Sequence, residues 1–433
     1  MGEVYEPVEG ASHLKAKVYV SSYSNYDVLA HLPHGTESEG IYGFHFTPES
    51  AELTPMATTG KSALLDASCG PNPAFMKVYE DRLYVVNERI DTEGSLSVYQ
   101  IDEKTGAIAL QSQVNAAGRS TCYIHLDASE KWILLINYWD ATLSVVEHMP
   151  NGQMGKVVDV HRRPGFDYCK NENPDRAEHL AHRQGWSHAH CVVPGPRLDA
   201  NDRFGLYFVP DLGEECIHQF VLDRETGALS YTGRLRLKAG HGPRHMVFHP
   251  CGEFGFVVNE LDSTVDLLRY DLEKAQQLVS SFDASSKSDW SDSDEMHCLS
   301  VVQTISTLPE GFKGKSHCAE IKVGPDGRFL YVANRFSDTI AVFRIDSENG
   351  GQLSCVEIVS SQGKTPRHFS FDPSGNFMVV ANTDNDTLCV FAIHPLNGSL
   401  SYTGKSLKTP SPNYVLIVPE CEPTAVPDLR MAQ

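Results

Sequence analysis

Pro325-Asp326-Gly327-Arg328-Phe329-Leu330-Tyr331-Val332-Ala333-Asn334-Arg335-Phe336-Ser337-Asp338-Thr339-Ile340-Ala341-Val342-Phe343-Arg344 reads as a turn, a β-rich run ending in Asn, a polar turn and a second β-rich run. The run ending in a small polar residue returns as Tyr84-Val85-Val86-Asn87, Leu134-Leu135-Ile136-Asn137, Tyr207-Phe208-Val209-Pro210-Asp211, Phe256-Val257-Val258-Asn259 and Val379-Val380-Ala381-Asn382. Intervals of 50, 74, 48, 75 and 48 residues separate the six copies, so the unit is about 50 residues with two insertions of about 25. Repetition of short strands at that period is the signature of propeller blades.

Val18-Tyr19-Val20-Ser21 is a degenerate seventh copy without the strand that precedes the others, and Pro412-Asn413-Tyr414-Val415-Leu416-Ile417-Val418 is such a strand without the rest of a unit. The expectation is an all-β, seven-bladed propeller occupying 1–433 as a single domain. The N- and C-terminal segments pair in one blade, which removes the open edges of a linear array. The insertions fall at about 149–187, rich in charge and His, and at about 275–312. The second contains the acidic Ser291-Asp292-Ser293-Asp294-Glu295 and reads as a solvated surface loop.

The formal charge of −20 argues against nucleic acid or an anionic membrane as partner, since both need clustered Lys and Arg. It leaves room for a small anion wherever basic residues converge. The N-terminal residues have no signal-peptide pattern, no apolar run is long enough to cross a bilayer, and the 11 cysteines contain no CxxC pair. The expectation is a cytoplasmic protein with reduced thiols. No oligomeric state follows from the sequence; a monomer is the simplest expectation.

In a propeller the first strand of each blade lines the central channel, so equivalent positions on those strands converge. Counting back from the turn proline aligns Arg244-His245, Ala319-Glu320 and Arg367-His368, with His188 and His190 in blade 4 and Tyr123 and Tyr414 elsewhere. Polar residues thus stand where a buried inner strand would be apolar. Arg offers a fixed fork for carboxylate or phosphate, and a neighbouring His adds a donor or a proton-transfer group. His317 joins the same set. Glu260 and Arg335 follow the anchor Asn at a strand end, and Glu260 is the preferred carboxylate for acid or base work, with Glu88 and Glu320 as competitors. His179, His182, His188 and His190 invite a metal reading, but no Cys or carboxylate completes the set, so neither metal nor cofactor is expected. There is no Gly-x-Ser-x-Gly elbow, and the two Gly-Lys-Ser tripeptides lack the Gly of a phosphate loop.

At these residues the chain resembles the seven-bladed propeller lactonase family, which includes propeller-type 6-phosphogluconolactonases and the carboxy-cis,cis-muconate lactonizing enzyme. The matching motifs are Gly242-Pro243-Arg244-His245-Met246-Val247-Phe248-His249-Pro250, Val258-Asn259-Glu260-Leu261, Ser187-His188-Ala189-His190, Pro210-Asp211-Leu212-Gly213, Ala319-Glu320-Ile321 with Pro325-Asp326-Gly327-Arg328-Phe329-Leu330-Tyr331, and Pro366-Arg367-His368-Phe369. They cover blades 4 to 7, whereas blades 1 to 3 match in pattern alone. The resemblance implies a metal-free catalytic set of His188, Arg244, Glu260 and Arg335, with His190, His245, His317, Glu320, Arg367 and His368 holding substrate. In that reading Glu260 or His188 is the general base, Arg244 with His245 stabilises developing charge, and Arg335, Arg367 and His368 hold phosphate or carboxylate. The implied substrate is a small anionic lactone, with 6-phosphogluconolactone of the pentose phosphate route leading. A muconate-type lactonizing cycloisomerase and a non-enzymatic interaction scaffold remain alternatives.

Overall fold

A computed structural model of the protein describes residues 15–56, 64–66, 70–162, 184, 186–199, 202–282 and 297–420. Seven antiparallel sheets follow one another, six of them four-stranded and running from inner to outer strand in chain order. In blade 6 the strands are His317–Val323, Phe329–Arg335, Thr339–Asp346 and Gln352–Ser360. Blade 1 is the exception: the C-terminal strand Pro412–Pro419 pairs with Ala16–Ser22, which pairs with Ile41–Thr47 and then Glu52–Pro55. The expected closure from the two ends of the described chain is therefore present, and blade 1 has an inner strand as the other six do.

The recurrent phrase is the second strand of each blade, and it is buried because both of its faces pack on neighbouring blades. Six apolar clusters link the ring. One joins blades 5 and 6 through Phe256, Val258, Leu330 and Phe343, and another joins blades 7 and 1 through Val379, Val390, Val18 and Phe44. The terminal Asn of the phrase has its own cause. In three blades its amide donates to a Thr hydroxyl five residues on, Asn137 to Thr142 (2.9 Å), Asn259 to Thr264 (3.0 Å) and Asn334 to Thr339 (3.1 Å), which ties the strand end to the start of the next strand.

The two insertions hold more regular structure than their composition suggested. The span 149–187 opens with Met154–Arg162, the outer strand of blade 3. The span 275–312 contains most of an α-helix, Leu272–Ser281, and the outer strand Leu299–Ser306. This corrects the solvated-loop expectation. Asp271 caps the helix by accepting from the Lys274 N–H (3.0 Å), and Ala275, Leu278 and Val279 bury an i, i+3, i+4 stripe in the cluster containing Leu206 and Tyr270. The acidic run 291–295, His179 and His182 lie outside the described residues.

Candidate active site

The site is built on a defect shared by the blades. In blades 1, 2, 3, 5, 6 and 7 the inner strand slips register against its neighbour next to the anchor residue, as between Pro243 and Met246, Cys318 and Ile321, and Pro366 and His368. Such a bulge re-aims side chains that regular alternation would send to opposite faces of the sheet. Arg244 and Arg367 sit in these bulges and turn toward the end of the channel where the second strands finish. His245 and His368 point across the channel.

The guanidinium end is largely buried and densely charged. Glu260 is clamped between two arginines: its Oε2 is 3.2 Å from Arg244 Nε and its Oε1 is 2.9 Å from Arg335 Nη2. Arg244 Nη1 donates to the Ala319 carbonyl (2.7 Å) and Arg335 Nη2 to that of Cys318 (3.1 Å), so both forks are fixed against the inner strand of blade 6. Arg367 pairs with Glu88 (3.3 Å) and lies over the Tyr23 ring, 5.4 Å from its centroid, while the Tyr23 hydroxyl donates to Glu88 at 3.4 Å. Burial opposes charge on Arg367, but Tyr23, Glu88 and Glu260 outweigh it and hold the group protonated. Burial and then Arg367 lower the Arg244 value. Three guanidiniums face two carboxylates here, so the cluster presents an excess positive charge to a bound anion.

His188 stands in an aromatic setting on the same side. Its ring stacks on Tyr138 (centroids 4.4 Å, interplanar angle 11°) and lies 5.3 Å from that of Trp186. Nδ1 is 3.0 Å from the Tyr138 carbonyl oxygen, an acceptor, so Nδ1 carries the hydrogen and Nε2 of the neutral ring keeps its lone pair. The backbone is held as firmly: the His188 N–H donates to Asp211 Oδ1 (2.8 Å), and the adjacent Ser187 hydroxyl bonds Asp211 Oδ2.

Beneath this cluster seven side chains, one per blade, close the channel: Tyr414, Phe75, Tyr123, His190, His245, Glu320 and His368. Phe75 packs on Tyr414 and Tyr123 with centroids 4.4 and 4.3 Å apart, Tyr123 lies 5.7 Å from His245, and His368 stacks on Tyr414 at 3.8 Å. The polar half is hydrogen-bonded within itself. His190 Nδ1 is 3.2 Å from His245 Nε2, while His245 Nδ1 (3.2 Å) and His368 Nε2 (3.5 Å) both meet Glu320 Oε2. The Val415 N–H donates to His368 Nδ1, which leaves the hydrogen of that ring on Nε2, toward Glu320. Burial, then Arg244, pushes His245 down to about 4, and burial holds His190 and His368 well below the usual imidazole range. Burial alone would raise the Glu320 carboxyl, but His368 and His245 outweigh it and hold it below the usual range.

The structure thus divides the residues expected at the site. His188, Arg244, Glu260, Arg335 and Arg367 share the guanidinium end. His190, His245, Glu320 and His368 form its floor, and their polar atoms are turned to one another. This corrects the reading of each Arg-His pair as one anion-binding unit, because the bulge separates the two side chains. His317, at the outer start of its strand, packs edge-on against Phe336 (5.2 Å) and is not the member of its strand that enters the floor. Sequence reasoning missed Tyr23, Phe75, Tyr138 and Trp186. Tyr138 follows its anchor Asn as Glu260 and Arg335 follow theirs, an offset that would have found it. A cavity of about 60 Å3, lined by Lys77, Tyr79, Tyr84 and His125, lies beyond the floor, away from Glu260.

Known proteins share this fold and part of this sequence. Residues 17–294 and 285–417 match the family described as "Lactonase, 7-bladed beta-propeller". The chain is 27% identical over 337 residues to a 6-phosphogluconolactonase of Bacillus subtilis, covering 77% of this chain and 82% of that protein. It is 28% identical over 341 residues, with the same coverage, to one of Formosa agariphila. The solved periplasmic gluconolactonase of Pseudomonas aeruginosa superposes with a TM-score of 0.73 at 25% identity, covering 93% of this chain and 99% of that one. With both the fold and nearly the whole length of the propeller matched, the chain belongs to the seven-bladed β-propeller lactonase family.

Proposed function

We propose that this protein hydrolyses a sugar lactone, with 6-phosphogluconolactone as the leading substrate. The observation that carries this reading is the Arg244–Glu260–Arg335 clamp, at the end of the channel where the second strands finish, together with a His188 at that same end of its blade whose Nδ1 is committed to a carbonyl. Ring opening needs an activated water, a cationic partner for the carbonyl oxygen as it gains charge, and a grip on the substrate's anion. His188 Nε2 takes the proton of the attacking water and returns it to the ring oxygen as the acyl–oxygen bond breaks. Arg244 faces the developing oxyanion, and Arg335 and Arg367 hold the phosphate or carboxylate. A carboxylate bonded to two guanidiniums is better built to align them than to accept a proton, so we assign Glu260 the aligning role.

The names of the Bacillus subtilis and Formosa agariphila relatives support the phosphorylated substrate, and the Pseudomonas aeruginosa neighbour supports an aldonolactone. The eight described cysteines are unpaired, which supports a reducing, cytoplasmic setting. No helix among the described residues is long and apolar enough to cross a membrane. The test is hydrolysis of freshly generated δ-6-phosphogluconolactone against its spontaneous rate, with gluconolactone and a carboxymuconate in parallel. Acceleration lost in His188→Asn supports the reading. No acceleration with either lactone overturns it, and closure of the muconate alone would establish the cycloisomerase reaction.

A further inference from the structure

Blade 4 carries a second group of reactive side chains that hydrolysis does not use. Its second strand ends at Asp211, the turn holds Glu214, and the third strand, Cys216–Asp223, begins with Cys216 and His218 two residues apart on one face. One ligand atom from each of Glu214, Cys216 and His218 fits within 4.8 Å of the others. His218 Nε2 lies 3.3 Å from Cys216 Sγ, 3.8 Å from Glu214 Oε2 and 3.6 Å from Asp211 Oδ2. Bonds of about 2.0 Å to N or O and 2.3 Å to S place the donors of a tetrahedral zinc about 3.3–3.8 Å apart. His218, Cys216 and Asp211 are fully buried, and this set is distinct from the histidines 179, 182, 188 and 190 considered from the sequence.

We propose that Glu214, Cys216 and His218 bind a zinc ion, with Asp211 as a neighbour of His218 outside the ligand set. Arg234 Nη1 is 3.0 Å from Glu214 Oε2 and Arg236 stands opposite Cys216 on the next strand, so the ion would sit among charges of both signs. On binding, the thiol proton leaves to solvent as the S–Zn bond forms, so uptake is coupled to pH. The role is structural and reaches the reactive end of the channel. Asp211 Oδ1 accepts from the backbone N–H groups of His188 (2.8 Å), Gly213 (2.9 Å) and Glu214 (2.9 Å). An ion held by His218, whose Nε2 is 3.6 Å from Asp211 Oδ2, would therefore bear on the loop that positions His188.

The test is zinc content of the full-length chain after growth with zinc and exhaustive dialysis. We expect about one zinc per chain, reduced at least about tenfold in Cys216→Ser and in His218→Gln, and a melting temperature that falls when a chelator removes it. Because either variant could misfold, cobalt(II) exchanged into the wild type is the second measurement. A tetrahedral visible spectrum with a near-ultraviolet thiolate-to-metal band is expected. No retained zinc together with no shift in melting temperature on adding zinc would overturn the proposal. So would equal retention by both folded variants, or bound cobalt without a thiolate band.

Discussion

Arg335 Nη2 and Glu260 Oε1 form a 2.9 Å ion pair with the Glu260 side chain only 1% exposed, and the other Glu260 oxygen holds Arg244. Removing the charge while keeping the shape leaves two buried guanidiniums without their counter-ion. Glu260→Gln should lower kcat/KM by roughly 100-fold or more, with KM rising because both anion-binding forks lose their alignment. His188→Asn should instead lower kcat by about 100-fold to 10,000-fold with a smaller change in KM, as expected for loss of a proton acceptor. Steady-state kinetics of the two variants decide between these roles; the reverse pattern would make Glu260 the base.

The floor of the site makes stability depend on pH. The folded value of His245, about 4, lies below its ordinary 6.5, and His190 and His368 are shifted the same way. The unfolded chain therefore binds the extra protons first. The stability contributed by neutral histidines is fully present above about pH 6.5 and is lost as pH falls toward the folded values. Each ring should cost about 1.4 kcal/mol per pH unit over that window. Urea unfolding at pH 7.5 and pH 5.5 checks this, and equal stabilities would contradict the neutral-histidine floor.

Gly213 should tolerate no side chain. A Cβ there would lie 1.6 Å from the Trp186 carbonyl oxygen and 3.2 Å from the His188 nitrogen. Gly213→Ala must push the Trp186–His188 segment away from Asp211, so we expect at least about a tenfold loss of kcat/KM, by the sensitivity of catalysis to small misplacements. Wild-type kinetics from a folded Gly213→Ala protein would show that the segment yields at no cost.

Deleting residues 412–433 removes the inner strand of blade 1 and exposes the edge of Ala16–Ser22, along with Tyr414 from the floor. The shortened chain should be aggregation-prone and lose cooperative thermal unfolding. Size-exclusion chromatography and calorimetry test this, and an unchanged melting temperature would mean that the closure contributes nothing. Within the ring, Phe256→Ala empties a fully buried position between blades 5 and 6 and should cost about 3–5 kcal/mol in the same experiment.

The blade count, the shared terminal blade and six of the seven side chains that close the channel, all but Phe75, were legible in the sequence, because each depends on local pattern. A buried second strand must be apolar and must stop at a residue able to bond the next strand, as Asn259 and Asn334 do. Outer structure was less legible: the helix Leu272–Ser281 has an apolar stripe of only three residues, which takes its meaning from the blade 4 surface beneath it. The division of labour at the site was decided by tertiary structure alone. Adjacent residues such as Arg244 and His245 look like one unit in a linear chain, and only the inner-strand bulge sends one to Glu260 and the other to Glu320. The same holds for His188 and for the Cys216–His218 pair, whose partners Tyr138 and Asp211 come from other strands. Such relationships depend on how strands and blades dock on one another, and local sequence spacing carries no record of that geometry.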